Sequence, residues 1–143
     1  KLLPDFEDVE AEDLAKKHVL AFPHFSTALE FCLNWPDLLT AALLIEARAD
    51  EINGDHYLLL TPTAEALRSR HPLAAALLWR AMIDFALEQG QSSRYGQAAD
   101  HLADCTSVDA DILEYRDFPT HAGYLQALQS RHHRKSSFWA KML

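Results

Sequence analysis

The chain has 143 residues, a formal net charge of −8 and 49% hydrophobic residues. This length suits one domain with its own core, and the composition excludes disordered and fibrous proteins. The acidic balance disfavours general binding to nucleic-acid phosphates. The longest near-apolar run, Leu73–Trp79, is far shorter than the roughly 20 residues that span a bilayer, so no membrane partner is predicted.

The two cysteines, Cys32 and Cys105, lie far apart in the sequence. In a chain that can build its own core, this usage favours buried thiols in a reducing compartment over a disulfide. We therefore predict a cytoplasmic protein. Because the chain starts at Lys1 and not at Met, we expect it to be the C-terminal fragment of a longer chain.

Apolar residues recur at helical spacing through nearly the whole chain, which predicts about eight short helices. Pro23 and Pro36 separate the first three, because proline disfavours helix in the residue before it. The predicted helices cover residues 8–22, 24–35, 37–49, about 62–70, 73–87, 93–105, a segment after Pro119 and the C-terminal residues.

Asn53-Gly54-Asp55 is the clearest predicted turn. The residues after it, His56–Leu60, are the only plausible extended piece, and one strand cannot form a sheet. Thr61-Pro62 then predicts a helix start, with a hydroxyl cap and proline at the first position. Ser92-Ser93 is predicted to cap the helix over 93–105.

The helix over 73–87 carries its polar residues almost only at Arg80, Asp84 and Glu88, spaced four apart. One polar stripe on an apolar cylinder predicts a central helix packed on several neighbours. We expect the stripe to be the exposed edge of that helix, and the alternative is that it lines a groove. Gly90 is a natural C-terminal cap.

These patterns predict an all-α fold in a single helical domain over residues 1–143. Helical pairs such as 73–88 with 93–105 resemble helix-turn-helix repeats of the tetratricopeptide (TPR) kind, without a strict period. An irregular, TPR-like, right-handed α-solenoid and a compact helical bundle both fit.

The sequence contains no Gly-rich phosphate loop, no Gly-x-Ser-x-Gly and no His-Glu-x-x-His. His101, Asp104 and Cys105 share a helix face. A structural zinc site needs four ligands, however, and the sequence offers no second cluster that would complete the set. We predict no metal, no cofactor and no catalytic residue.

Two other binding modes remain open. A small-ligand or enzymatic pocket would be built from Arg80, Asp84, Tyr95 and His101, with His71 beside them.

The second mode uses the basic cluster of Arg131, Arg134 and Lys135, which could contact nucleic acid or an acidic partner. A solvated face of the last helix explains the cluster better, because the whole chain is acidic.

Several stretches of the chain carry a resemblance to a known family. They lie at 3–12, 59–67, 70–74, 92–102 and 134–139, and the most specific are Arg-Tyr-Gly-x-Ala-Ala at 94–99 and Arg-Lys-x-x-Phe-Trp at 134–139. Together they resemble the C-terminal region of an uncharacterised bacterial domain-of-unknown-function family with helical repeats. The end of the chain is also distantly similar to the helical tails of SWIM zinc-finger proteins, but it has no SWIM cysteine-histidine signature.

This resemblance implies an all-α repeat fold in which upstream helical repeats of the same chain pack on this part. It implies no activity and no catalytic residues. We therefore predict a helical-repeat interaction or scaffold module that binds a protein or peptide, because repeat folds expose extended concave surfaces. A purely structural cap on an upstream array is a further possibility.

Overall fold

A computed structural model describes residues 23–34 and 38–142. Within them the chain forms α-helices and short 3₁₀ turns and no strand, which confirms the all-α prediction for this part of the chain. The α-helices are α1 (Phe25–Asn34), α2 (Leu38–Ala47), α3 (Tyr57–Leu67), α4 (Pro72–Glu88), α5 (Tyr95–Val108), α6 (His121–His132) and α7 (Ser136–Ala140). The helix predicted over 8–22 lies outside the described residues. The repeat or solenoid arrangement stays a prediction.

Internal contacts divide the chain into two compact units, Lys1–Ile52 and Asn53–Leu143. In the first unit α1 packs against α2. The buried residues of α1 follow a helical spacing that gives it one apolar stripe, and they are Phe25, Ala28, Leu29 and Cys32. The buried residues of α2 are Thr40, Ala41, Ala42, Leu44 and Ile45.

In the second unit α4 is the central helix, as the sequence predicts. Twelve of its 17 residues are buried, and it packs against both α3 and α5. Gly90 ends it with a φ of 62°, a conformation that costs glycine little. The N–H groups of Gly90 and Gln91 donate to the carbonyls of Leu87 and Ala86 at 3.2 and 3.0 Å, which satisfies the last carbonyls of the helix.

The start of α3 corrects two predictions. The helix begins at Tyr57 and not at Thr61, so His56–Leu60 is not an extended segment. Pro62 lies inside the helix, where it removes one backbone hydrogen bond. Packing outweighs that loss, because one face of the helix is buried on both sides of Pro62, through Leu60, Thr63, Ala64 and Leu67.

The beginning of α5 also differs from the prediction. Ser92–Arg94 forms a 3₁₀ turn, and no side chain caps α5. A cap that the sequence analysis missed stands before α6, where the Thr120 hydroxyl accepts a hydrogen bond from the Gly123 N–H at 3.2 Å. None of the helices in the described residues is long and apolar enough to cross a membrane.

Candidate functional site

Arg80, the first residue of the polar stripe of α4, is surrounded by other groups of the protein. This side chain is only 5% exposed. Its guanidinium carbon lies 4.6 Å from the centre of the Tyr124 ring and 5.3 Å from that of Tyr115, and Nη1 donates to the Pro119 carbonyl at 2.9 Å. The prediction of an exposed edge was therefore wrong for Arg80. Two aromatic faces and a carbonyl lie around its charge, while Nε and Nη2 are buried without a hydrogen-bond partner.

Asp84, one turn further along α4, belongs to the same cluster. The Tyr124 hydroxyl donates to its carboxylate at 2.8 Å, and Arg131 of α6 approaches it to 3.8 Å. Burial raises the pKa of the Asp84 carboxyl, against the hydrogen bond from Tyr124. Arg131 also reaches Glu88 at 3.4 Å. The stripe therefore links α4 to α6.

The four predicted ligand residues, Arg80, Asp84, Tyr95 and His101, do not all belong to the cluster around Tyr124. Arg80 and Asp84 meet at Tyr124, as described above. Tyr95 packs its ring edge-to-face on Phe138, with centroids 6.0 Å apart, and His101 lines a separate small recess. Their role in ligand binding stays a prediction.

This recess lies between α4, α5 and the turn before α3. Its free volume is about 10 Å³, which is room for one water molecule. Arg94 forms its part-exposed side and donates through Nη1 to Asp55 at 2.7 Å. The lining residues are Gly54, Tyr57, Met82, Ala86, Arg94, Gln97, Ala98 and His101.

Sequence reasoning missed four residues of these two clusters: Tyr57, Arg94, Tyr115 and Tyr124. Tyr124 had a partial signal, since it lies four residues before Leu128 and both are buried on α6. Its contact with Arg80 joins positions 44 residues apart, and no local pattern contains such a pairing.

The predicted basic cluster is partly neutralised. Arg131 has acidic partners on α4, whereas Arg134 is exposed and Lys135 is half-buried at the start of α7. Contact with nucleic acid through these three residues stays a prediction.

Cys32 and Cys105 are both buried and do not form a disulfide. Burial raises the pKa of the Cys105 thiol to about 12, so the thiol stays protonated and is a poor nucleophile near neutral pH. In the ranges 23–34 and 38–142 no three or more His, Cys, Asp and Glu side chains are placed to hold a metal ion.

Three buried histidines make stability depend on pH. Burial lowers the pKa values of His101, His121 and His132 from the ordinary 6.5. Below about pH 6.5 the unfolded chain therefore binds more protons than the native one, so we expect the free energy of unfolding to fall as pH drops from about 7 to about 5.5. Asp84 acts oppositely, because its raised pKa costs stability as pH rises above 3.8.

Urea denaturation at several pH values between about 7 and 5.5 measures how steeply the free energy of unfolding depends on pH. Replacing the three histidines by Gln is expected to flatten it, whether or not it changes stability at pH 7. A slope that is unchanged in this variant would contradict the assignment.

The fold and these clusters define an all-α protein whose buried polar groups join helices to one another. The model of a family of unknown function, DUF6880, matches residues 1–141, and the chain belongs to that family. The expected membership of a domain-of-unknown-function family is thereby confirmed, while the links to helical repeats and SWIM proteins stay predictions. No curated protein and no solved structure matches the chain.

Proposed function

We propose that this protein is an interaction module that binds an apolar helix of a partner protein through α2. One observation carries the proposal. The face of α2 that bears Leu39 and Leu43 is open, although five other residues of the helix are buried.

The composition of α2 makes this face unusual. Apart from Thr40 and Glu46, every residue of the helix is apolar. A helix that is apolar all round is normally enclosed by neighbours. Here Leu39 and Leu43 remain 50% and 43% exposed, and their spacing of four places them one above the other on the helix.

A second helix suits this face best. Side chains that repeat every three or four residues along an apolar stripe fit beside a leucine pair of that spacing, as in other helix-in-groove complexes. The net charge of −8 favours a neutral or basic partner over an acidic one. The neighbouring helix α1 also exposes Phe31 and Leu33 in part.

Photo-crosslinking tests the proposal in cells that express the protein. A benzoylphenylalanine at position 39 or 43 is expected to give an adduct with a partner, and the same probe at Leu58 serves as a control. Leu58 is 81% exposed but belongs to the other unit. Equal adducts at all three positions, or none at positions 39 and 43, would overturn the proposal.

The purified partner then allows an affinity measurement. The double variant L39S/L43S is expected to weaken binding by about tenfold or more, because each leucine loses roughly 1–2 kcal/mol of apolar burial. The matched variant L58S is expected to bind as the parent does. Ultracentrifugation of the parent and L39S/L43S shows whether the partner is a second copy of this chain.

A further inference from the structure

The turn before α3 contains an Asn-Gly pair, the dipeptide in which an asparagine side chain most readily loses ammonia. Gly54 has no side chain, so nothing hinders the approach of its backbone nitrogen to Cγ of Asn53. Asn53 is exposed to solvent. The other asparagine of the chain, Asn34, precedes the bulky Trp35. Asn53 is therefore the asparagine at which the sequence favours this reaction.

The reaction, deamidation, needs only water. The Gly54 nitrogen bonds to Cγ of Asn53 and gives up its proton, and the side-chain nitrogen leaves as ammonia. Water then opens the resulting succinimide ring at one of its two C–N bonds. Cleavage of the bond to Cγ leaves an ordinary aspartyl residue. Cleavage of the bond to the main-chain carbonyl carbon leaves an isoaspartyl residue, whose main chain is one methylene longer.

The folded turn restrains the groups that must rotate before this ring can close. Oδ1 of Asn53 accepts a hydrogen bond from the Asp55 N–H at 3.0 Å, and its main-chain carbonyl accepts one from the His56 N–H at 3.0 Å. Gly54 is buried against α4, where even a Cβ would lie 2.7 Å from Cβ of Phe85. The peptide plane between Asn53 and Gly54 therefore has little room to turn.

Arg94 ties this turn to the rest of its unit. Its Nη1 donates to the Asp55 carboxylate at 2.7 Å. Its guanidinium carbon lies 4.7 Å from the centre of the Tyr57 ring and 5.5 Å from that of Phe85, a residue of α4. The ion pair and the stacking both hold the turn closed on α4.

We propose that Asn53 is a modification site whose deamidation is controlled by this turn. The closed turn protects the residue, and the reaction proceeds when the turn leaves α4 or the chain unfolds. The isoaspartyl product lengthens the main chain beside Gly54, where the structure leaves no space, so the turn does not close again. The modification is then a one-way mark of chains that have opened. This proposal does not depend on the partner of α2.

Ageing of the unmodified chain is the first test. The folded protein and the same protein in guanidinium chloride are kept at one temperature and one near-neutral pH, and peptide mass spectrometry follows deamidation at Asn53. We expect the folded protein to react at least about tenfold more slowly, because only its open fraction reacts. Asn34 is the internal control and is expected to stay unmodified in both samples. Equal rates at Asn53 in the two samples would overturn the proposal.

A variant tests the role of Arg94. R94Q removes the ion pair and the stacked charge, so we expect the folded variant to deamidate at Asn53 about threefold to tenfold faster than the parent. In guanidinium chloride the two rates are expected to be equal, which separates an effect on the turn from an effect on the chemistry. R134Q, at an exposed arginine outside the turn, is the matched control. A folded R94Q that reacts no faster than R134Q would contradict the protection by Arg94.

A third experiment tests whether the isoaspartyl turn can close. The parent is aged in denaturant, refolded and exposed to a brief pulse of protease in intermediate urea, and the surviving full-length chains are analysed. We expect isoaspartyl chains to be depleted at least about threefold among the survivors, because a turn that stays open destabilises them. N53D has the ordinary aspartyl product and is expected to resist digestion as the parent does. Equal survival of isoaspartyl and unmodified chains would show that the turn tolerates the modification and would overturn the one-way mark.

Discussion

Replacing Phe138 by Ala is expected to lower the free energy of unfolding by about 3–5 kcal/mol, the usual cost of removing a buried aromatic ring. The side chain is fully buried in the short helix α7. It packs edge-to-face against Tyr95 at 6.0 Å and against Trp139 at 4.9 Å between ring centroids. Its loss leaves a cavity between α5 and α7 that five helical residues cannot close.

Urea denaturation followed by circular dichroism measures this change. W139F is the matched control, since it keeps a ring but loses the hydrogen bond from Trp139 Nε1 to the His132 carbonyl at 2.8 Å. We expect that variant to lose about 1 kcal/mol. Equal losses in the two variants would mean that Phe138 does not anchor α7.

The variant G54A is expected to lose about 2–3 kcal/mol of stability, because a methyl group at this position overlaps α4. An ideal Cβ on Gly54 would lie 2.7 Å from the carbonyl carbon of Ala81 and 2.7 Å from Cβ of Phe85. Both are fixed parts of a buried helix, so the turn itself must move.

G96A is the control for this prediction. A Cβ at Gly96 meets no atom within 4 Å, and the residue lies inside α5. We therefore expect G96A to gain about 0.5–1 kcal/mol, since alanine loses less backbone entropy in a helix than glycine does. Thermal melts of the two variants should move in opposite directions. A G54A melt at or above that of the parent would show that the turn does not pack as described.

Local spacing was enough to predict most of the helices. Apolar residues at helical period place α1, α2 and α4 within one or two residues of their observed bounds. The single polar stripe of α4 identified it as the central helix before any neighbour was known. Asn53-Gly54-Asp55 was predicted as a turn from its residue types, which favour the conformations that turns need.

The start of α3 could not be predicted in the same way. Thr61-Pro62 is a strong local signal for a first helical turn. The helix nevertheless starts four residues earlier, at Tyr57, because packing of Leu60 and its neighbours outweighs the hydrogen bond that Pro62 removes. That balance depends on a neighbouring helix and not on the segment itself.

The candidate site, too, was only partly predictable from the sequence. Arg80 and Asp84 were predicted from the polar stripe of an apolar helix, and they meet at one tyrosine. The recess around His101 was not predicted as such, since Arg94 and Tyr57 contact each other from segments nearly forty residues apart.

By itself, the sequence determined an all-α chain with a central apolar helix and a glycine turn before α3, because helical period and turn chemistry act over a few neighbouring residues. Only the tertiary structure decided that Arg80 is buried between two tyrosines, that Arg131 pairs with acids of α4, and that His101 faces a recess beside Arg94. Each of these contacts joins residues that are neighbours only after the helices have packed. The environment of a charge is set by that packing and not by the residues beside it in the chain.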